Sequence, residues 1–261
     1  MQALARRDGQ PRPHAVLVAL HLLSSRICAL TDPIPQSAIT FPSGGKDIRL
    51  DRFLPEGHRR ESNPQLPAII GLYGSGGDHE GMSEPAGQLA EKGFAVYVLH
   101  YFDRTGMVEM EKSALIQNFP VWMKTLWDAI SFIEQQPQVD PSRIGLLGFS
   151  LGAYLAVCGA AIDPRVRAVV EFFGGLPKEM KFFMRRLCPM LILHGEADPT
   201  VPVSEAYHLQ EVLERKRIAY EIQIYPGVGH GFEGAVWDDA RARTLAFLQK
   251  YVASSSNGSS A

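Results

Sequence analysis

Three residues of this chain have types and settings that could together carry out acyl transfer: Ser150, Asp198 and His230. Ser150 lies in Gly148-Phe149-Ser150-Leu151-Gly152, after the apolar run Arg143-Ile144-Gly145-Leu146-Leu147 and before the helical pattern Ala153-Tyr154-Leu155-Ala156-Val157. Small residues two before and two after the serine let the backbone fold back sharply, so the hydroxyl projects from a strained strand-to-helix turn. The helix that follows then aims its first N–H groups at whatever the serine attacks. A serine hydroxyl is a weak nucleophile until a base takes its proton, and the base needs an acid to orient it. Asp198, in His194-Gly195-Glu196-Ala197-Asp198-Pro199, offers that acid just past an apolar strand. His230, in Val228-Gly229-His230-Gly231-Phe232, offers the base between two glycines past another.

Each residue also has a plainer reading. The serine turn could be an ordinary glycine-flanked connection. Asp198 could cap the helix after Pro202, and Glu196 is a second candidate acid. His194 ends a strand and reads as core or as support for the site, whereas His208 falls on a surface helix. The developing oxyanion needs two N–H donors. One is expected from Leu151, directly after the serine, and the other from Tyr73-Gly74-Ser75-Gly76-Gly77, with Ser75 preferred and Gly74 or Gly76 as alternatives. That glycine-rich loop is not a phosphate cradle, because no lysine follows as such a loop requires. Asp78-His79-Glu80 next to it reads as a solvated loop, since adjacent residues rarely ligate one ion together. No metal and no cofactor is expected.

The elements that must position these residues follow from the hydrophobic pattern. Ala38-Ile39-Thr40-Phe41, the turn Pro42-Ser43-Gly44-Gly45 and the alternating 48–53 read as an antiparallel hairpin. Continuous apolar runs at 68–73, 94–99, 144–147, 166–172, 190–194 and 220–225 read as strands covered on both faces. Helical patterns separate them at 83–92, through Trp122, Leu126, Ile130 and Ile133, and at 151–161, 203–216 and 237–252. This alternation predicts an α/β class: a mostly parallel central sheet with helices on both faces and an N-terminal antiparallel hairpin. The order serine, acid, histidine, each beyond a strand end, is the order of the α/β-hydrolase fold.

Composition bounds the remainder. The 261 residues suit one large domain over 31–253. With 26 basic against 28 acidic side chains the chain has no electrostatic footprint for nucleic acid. No apolar run is long enough to span a bilayer. Cys28, Cys158 and Cys188 show no metal or disulfide-framework spacing. Residues 1–30 carry Arg6, Arg7 and Arg12 before an apolar stretch, which reads as a secretory signal. His21 and Arg26 fit a disordered or helical extension instead. Export is slightly favoured over a cytoplasmic location on this basis. The Ser- and Gly-rich tail 254–261 is expected to be disordered. The partner expected is a small ester or lactone, and the chain a monomer or small homo-oligomer.

Over 69–251 the chain resembles the dienelactone hydrolase family. The likeness rests on the strand entering Tyr73-Gly74-Ser75, on Lys92-Gly93-Phe94-Ala95-Val96, on Val139-Asp140-Pro141-Ser142-Arg143-Ile144-Gly145 leading into the serine turn, and on the segments holding Asp198 and His230. The resemblance implies ester or lactone hydrolysis, and the departures bear on substrate. Dienelactone hydrolases usually have cysteine where this chain has Ser150, and a glutamate in the oxyanion loop where it has Tyr73 or Gly74. Of the two arginines that bind the dienelactone carboxylate, one matches Arg104 and the other falls on Gly234. The serine favours carboxylesterase-like chemistry, with lactone or dienelactone hydrolysis as the alternative and a non-catalytic binding protein on the same scaffold as the reading from another class. Arg104, Tyr73 and Phe149 are candidate substrate contacts. Phe172, Phe173, Met180, Phe182, Phe183 and Met184 are candidate walls of an acyl site for small to medium esters.

Overall fold

A computed structural model describes residues 37–58, 64–177 and 186–254. The expected signal or extension at 1–30, nearly all of the tail, and Met180, Phe182, Phe183 and Met184 lie outside the described residues. Strands β1 (Ser37–Ser43) and β2 (Lys46–Phe53) form the expected hairpin across Gly44 and Gly45. Both glycines have positive φ, +51° and +78°, which a tight two-residue turn demands. Alternation along β2 buries Ile48 and Leu50 on one face, and Phe53 is buried on the other.

The chain then continues through β3 (Leu66–Leu72), α1 (Ser83–Glu91), β4 (Ala95–Leu99), α2 (Leu115–Ile133), β5 (Val139–Phe149), α3 (Leu151–Ile162) and β6 (Val166–Phe172). It ends with β7 (Met190–Gly195), α4 (Ser204–Lys216), β8 (Tyr220–Tyr225) and α5 (Gly234–Leu248). The eight strands form one sheet in the order β1-β2-β4-β3-β5-β6-β7-β8. From β4 to β8 every pairing is parallel, and β2 joins β4 antiparallel, which sets the hairpin at one edge.

Successive side chains of β5 point to opposite faces, and this decides which helices they meet. Leu146 lies on the side of α3, near Gly159, where α3 also meets Leu126 of α2. Leu147 and Phe149 point the other way, into a cleft bordered by α1 and α5. The expected helix-covered sheet is therefore present.

Three boundaries differ from the sequence reading. β5 begins at Val139 rather than Ile144: Val139 pairs with Leu66 and Ile144 with Ala68, so the register shifts between them and Asp140-Pro141-Ser142-Arg143 bulge outward. A bulge is where a strand tolerates proline. Helix α2 runs through Pro120, which frees the carbonyl of Ile116, an 88% exposed residue that water can serve. Helix α5 starts at Gly234 rather than Trp237; its N-cap Glu233 makes no side-chain cap hydrogen bond, so the start carries no capping signal. It closes in a π-helical turn, Gln249–Ala253.

Candidate active site

The glycines around Ser150 are dictated by backbone contact. A Cβ on Gly148 would lie 2.3 Å from the Gly152 carbonyl oxygen, and one on Gly152 would lie 2.2 Å from that of Leu72. Only hydrogens fit, so α3 starts hard against the ends of β3 and β5. Between them Ser150 adopts φ 52°, ψ −116°, a conformation costly for a residue with a side chain. The turn is held because the Ser150 N–H donates to the Phe172 carbonyl at 2.9 Å and its own carbonyl accepts from Ala153 at 2.9 Å. Leu151, the first residue of α3, has an N–H with no intrahelical partner.

Past β7, Asp198 satisfies two demands with its two oxygens. Oδ1 accepts the N–H groups of Thr200 at 2.8 Å and Val201 at 2.9 Å, closing the turn. Oδ2 lies 2.7 Å from His230 Nδ1. The turn-capping role and the partnership with histidine therefore coexist, although Asp198 does not cap α4, whose N-cap is Val203. Burial alone would raise this carboxyl. The hydrogen bonds from His230, Val201 and Thr200 outweigh it and hold Asp198 below the ordinary carboxylate range. Glu196, the other candidate acid, is exposed, and its carboxylate accepts the Gly227 N–H at 3.3 Å.

His230 Nε2 lies 3.1 Å from Ser150 Oγ. With Nδ1–H donating to Asp198, Nε2 is the nitrogen free to accept the serine proton. The spacing is set by main chain: a Cβ on Gly195 would lie 2.4 Å from the carbonyl oxygens of Gly229 and Val228, and the Ala197 N–H donates to Val228 at 2.9 Å. Phe173 packs against the imidazole with ring centroids 4.7 Å apart. His194 is wholly buried and its Nε2 lies 2.9 Å from the Val201 carbonyl. His208 is half-buried on α4.

Ser150 and His230 open into a cleft of about 340 Å³. Gly74, Ser75, Gly76 and Asp78 form one wall, and Met82, Phe149, Phe173 and Trp237 line an apolar part. The position of a Cβ on Gly74 would be 3.4 Å from that of Ser150, so the loop main chain approaches the serine closely. Ser75 is anchored by its carbonyl, which accepts the Met110 N–H at 2.7 Å. Phe149 stacks on Phe172 at 4.5 Å, and Phe172 lines a neighbouring cleft of about 360 Å³. Met82 and Trp237 had no sequence signal beyond lying shortly after the glycine-rich loop and the histidine loop.

Two candidate contacts need correction. Tyr73 borders the cleft, but its ring stacks on Tyr101 at 4.6 Å and its hydroxyl accepts the Phe102 N–H at 3.4 Å, so the phenol is spent on the protein interior. Burial raises its pKa far above that of free tyrosine. Arg104 does not border the cleft. Its guanidinium donates to Ser43 Oγ at 2.9 Å and lies over Gly44, where a Cβ would fall 1.6 Å from it. The glycine turn of the hairpin leaves the space that draws this arginine away. Cys158 and Cys188 are free and buried, and burial pushes both thiols up to about 12, which leaves them unreactive.

The strand order, and the strained serine turn that follows the central strand, define an α/β hydrolase. Solved structures agree on this fold. A chain from Klebsiella pneumoniae assigned as a dienelactone hydrolase superposes with a TM-score of 0.68 at 20% identity, covering 82% of this chain and 98% of that one. An esterase of Thermogutta terrifontis, solved with propionate bound, gives 0.68 at 19% identity, covering 83% and 94%. The chain belongs to the dienelactone hydrolase family, whose model matches residues 57–253, and it is a hydrolase of that type. Among relatives, a Bradyrhizobium protein assigned as a 2-oxo-3-(5-oxofuran-2-ylidene)propanoate lactonase is 25% identical over 187 residues, 64% of this chain and 74% of the relative.

Proposed function

We propose that this protein is a serine carboxylesterase acting on small to medium esters through an acyl-enzyme. His230 Nε2 takes the proton of Ser150 Oγ as the oxygen attacks the ester carbonyl. Asp198 holds the imidazole in the tautomer that accepts at Nε2 and stabilises the imidazolium that forms. The Leu151 N–H, with that of Ser75, receives the oxyanion. His230 then protonates the leaving alcohol, and a water activated by the same imidazole releases the acid. The observation that carries this reading is the unbroken chain from Asp198 through His230 to Ser150, at 2.7 and 3.1 Å.

A cyclic ester offers the same carbonyl, and the lactonase relative favours lactones as a second substrate class. Against the carboxylated dienelactone itself stand the two clamp positions: Arg104 is bound at Ser43, and the other position is Gly234. Neutral esters and lactones suit the apolar cleft better. Hydrolysis of p-nitrophenyl acetate and butyrate, with Ser150→Ala lowering kcat by about 10⁴-fold or more, is the expected result. Labelling by a serine-directed phosphonate should fall on Ser150. No Ser150-dependent turnover of any ester or lactone would favour a binding protein instead.

A further inference from the structure

Asp51, His79 and His100 are far apart in sequence, and the fold brings them together. Asp51 lies on β2, His79 ends the loop after β3, and His100 directly follows β4. One potential ligand atom from each falls within 4.8 Å of the others. His100 Nε2 is 2.7 Å from Asp51 Oδ2, and the two imidazole centroids are 4.4 Å apart. His100 is only 1% exposed, and its Nδ1 is buried with no hydrogen-bond partner among the described residues.

The sequence-adjacent residues take no part. Asp78 Oδ1 accepts the Gly81 N–H at 2.9 Å instead. Arg49, the cation whose charge reaches His79 and Asp51, is itself paired with Asp103 through two bonds of 3.0 Å. Two imidazoles and one carboxylate make a ligand set of borderline softness. It suits zinc and its transition-metal neighbours rather than calcium or magnesium, which call for oxygen. Three protein ligands leave a fourth position for water.

We propose that Asp51, His79 and His100 bind one divalent transition-metal ion, and that the ion ties the loop carrying Gly74, Ser75 and Gly76 to β2 and β4. The site is distinct from Ser150, His230 and Asp198 and does not depend on the reaction they perform.

The test uses the untagged full chain, stripped with chelator and then equilibrated with zinc or cobalt(II). Metal content after dialysis, the visible spectrum of the cobalt form, and the shift in melting temperature with zinc are the readouts. Wild type should retain one equivalent, show tetrahedral cobalt bands and melt higher with zinc. His79→Ala and Asp51→Asn should lose all three effects, and His230→Ala should keep them. His79 lies on a half-buried loop, so its removal leaves the core intact. The proposal is overturned if wild type retains no more metal than His79→Ala. It is equally overturned if zinc raises the melting temperature of both alike, or if His230→Ala is the variant that loses the ion.

Discussion

His194 Nε2 lies 3.5 Å from Asp198 Oδ2, the same oxygen that meets His230 at 2.7 Å, and both side chains are wholly buried. One carboxylate oxygen thus faces two imidazoles, one from the end of β7 and one from the loop after β8. Burial chiefly holds the His194 imidazole below its ordinary pKa, so it stays neutral and donates to the Val201 carbonyl at 2.9 Å. That bond supports the turn in which Asp198 sits. His194→Phe keeps a flat ring but removes the donor and leaves a buried carbonyl unpaired, for an expected loss of about 1–3 kcal/mol in urea unfolding. Asp198 keeps its bonds to Thr200, Val201 and His230, so kcat should change less than about tenfold. A fall as large as that of Asp198→Asn would show His194 to be a working member of the site.

Asp198→Asn preserves the shape of the turn but offers His230 Nδ1 an amide in place of a carboxylate. The wrong tautomer is then favoured, and kcat should drop about 10⁴-fold with little change in KM. Glu196→Gln, two residues away and exposed, should leave both constants unaltered. Steady-state kinetics on one ester separate the two acids. Equal losses in both variants would remove Asp198 from its proposed role.

Arg104 provides a test of substrate charge. Its hydrogen bond to Ser43 Oγ, which itself donates to Asp128 at 2.7 Å, belongs to the hairpin turn rather than to the cleft. Arg104→Ala should cost about 0.5–1.5 kcal/mol of stability. Turnover of a neutral ester and of one bearing a carboxylate should stay in the same ratio. Selective loss on the anionic ester would return Arg104 to the substrate site.

What could be read from the chain without coordinates divides along physical lines. Ser150, Asp198 and His230 were legible because each follows an apolar strand, and a parallel sheet brings strand ends together. The strands themselves stood out as apolar runs, and the hairpin by its alternation and paired glycines. Arg104 was misplaced because nothing in a periodicity says where a long side chain on a short 3₁₀ turn will reach. The start of β5 was missed because the bulge at Pro141 breaks the apolar run. Trp237, on α5, and Met82, just before α1, were hidden because these helices meet the cleft only after the sheet is assembled. Asp51, His79 and His100 were illegible for the same reason, lying on three segments that approach only through the β2–β4 and β3–β4 pairings.

Glu171 supplies the last prediction. It lies within β6 between Gly148 of β5 and Ile192 of β7, and none of it is exposed. Oε2 accepts the Gly174 N–H at 2.8 Å, while Oε1 has no partner among the described residues. Burial raises its pKa to about 8, only partly opposed by the bond from Gly174. Between the ordinary glutamate value, about 4.3, and the raised one, the folded chain holds a proton that the unfolded chain has released. Stability contributed by this group therefore falls as pH rises through that window and levels off above it. Glu171→Gln cannot ionise and keeps an oxygen for Gly174. It should match wild type near the acid end and exceed it at the alkaline end by on the order of 5 kcal/mol. Urea unfolding of both proteins across the window reads the difference directly. Parallel pH curves would mean that Glu171 titrates in the folded protein as it does in the unfolded chain.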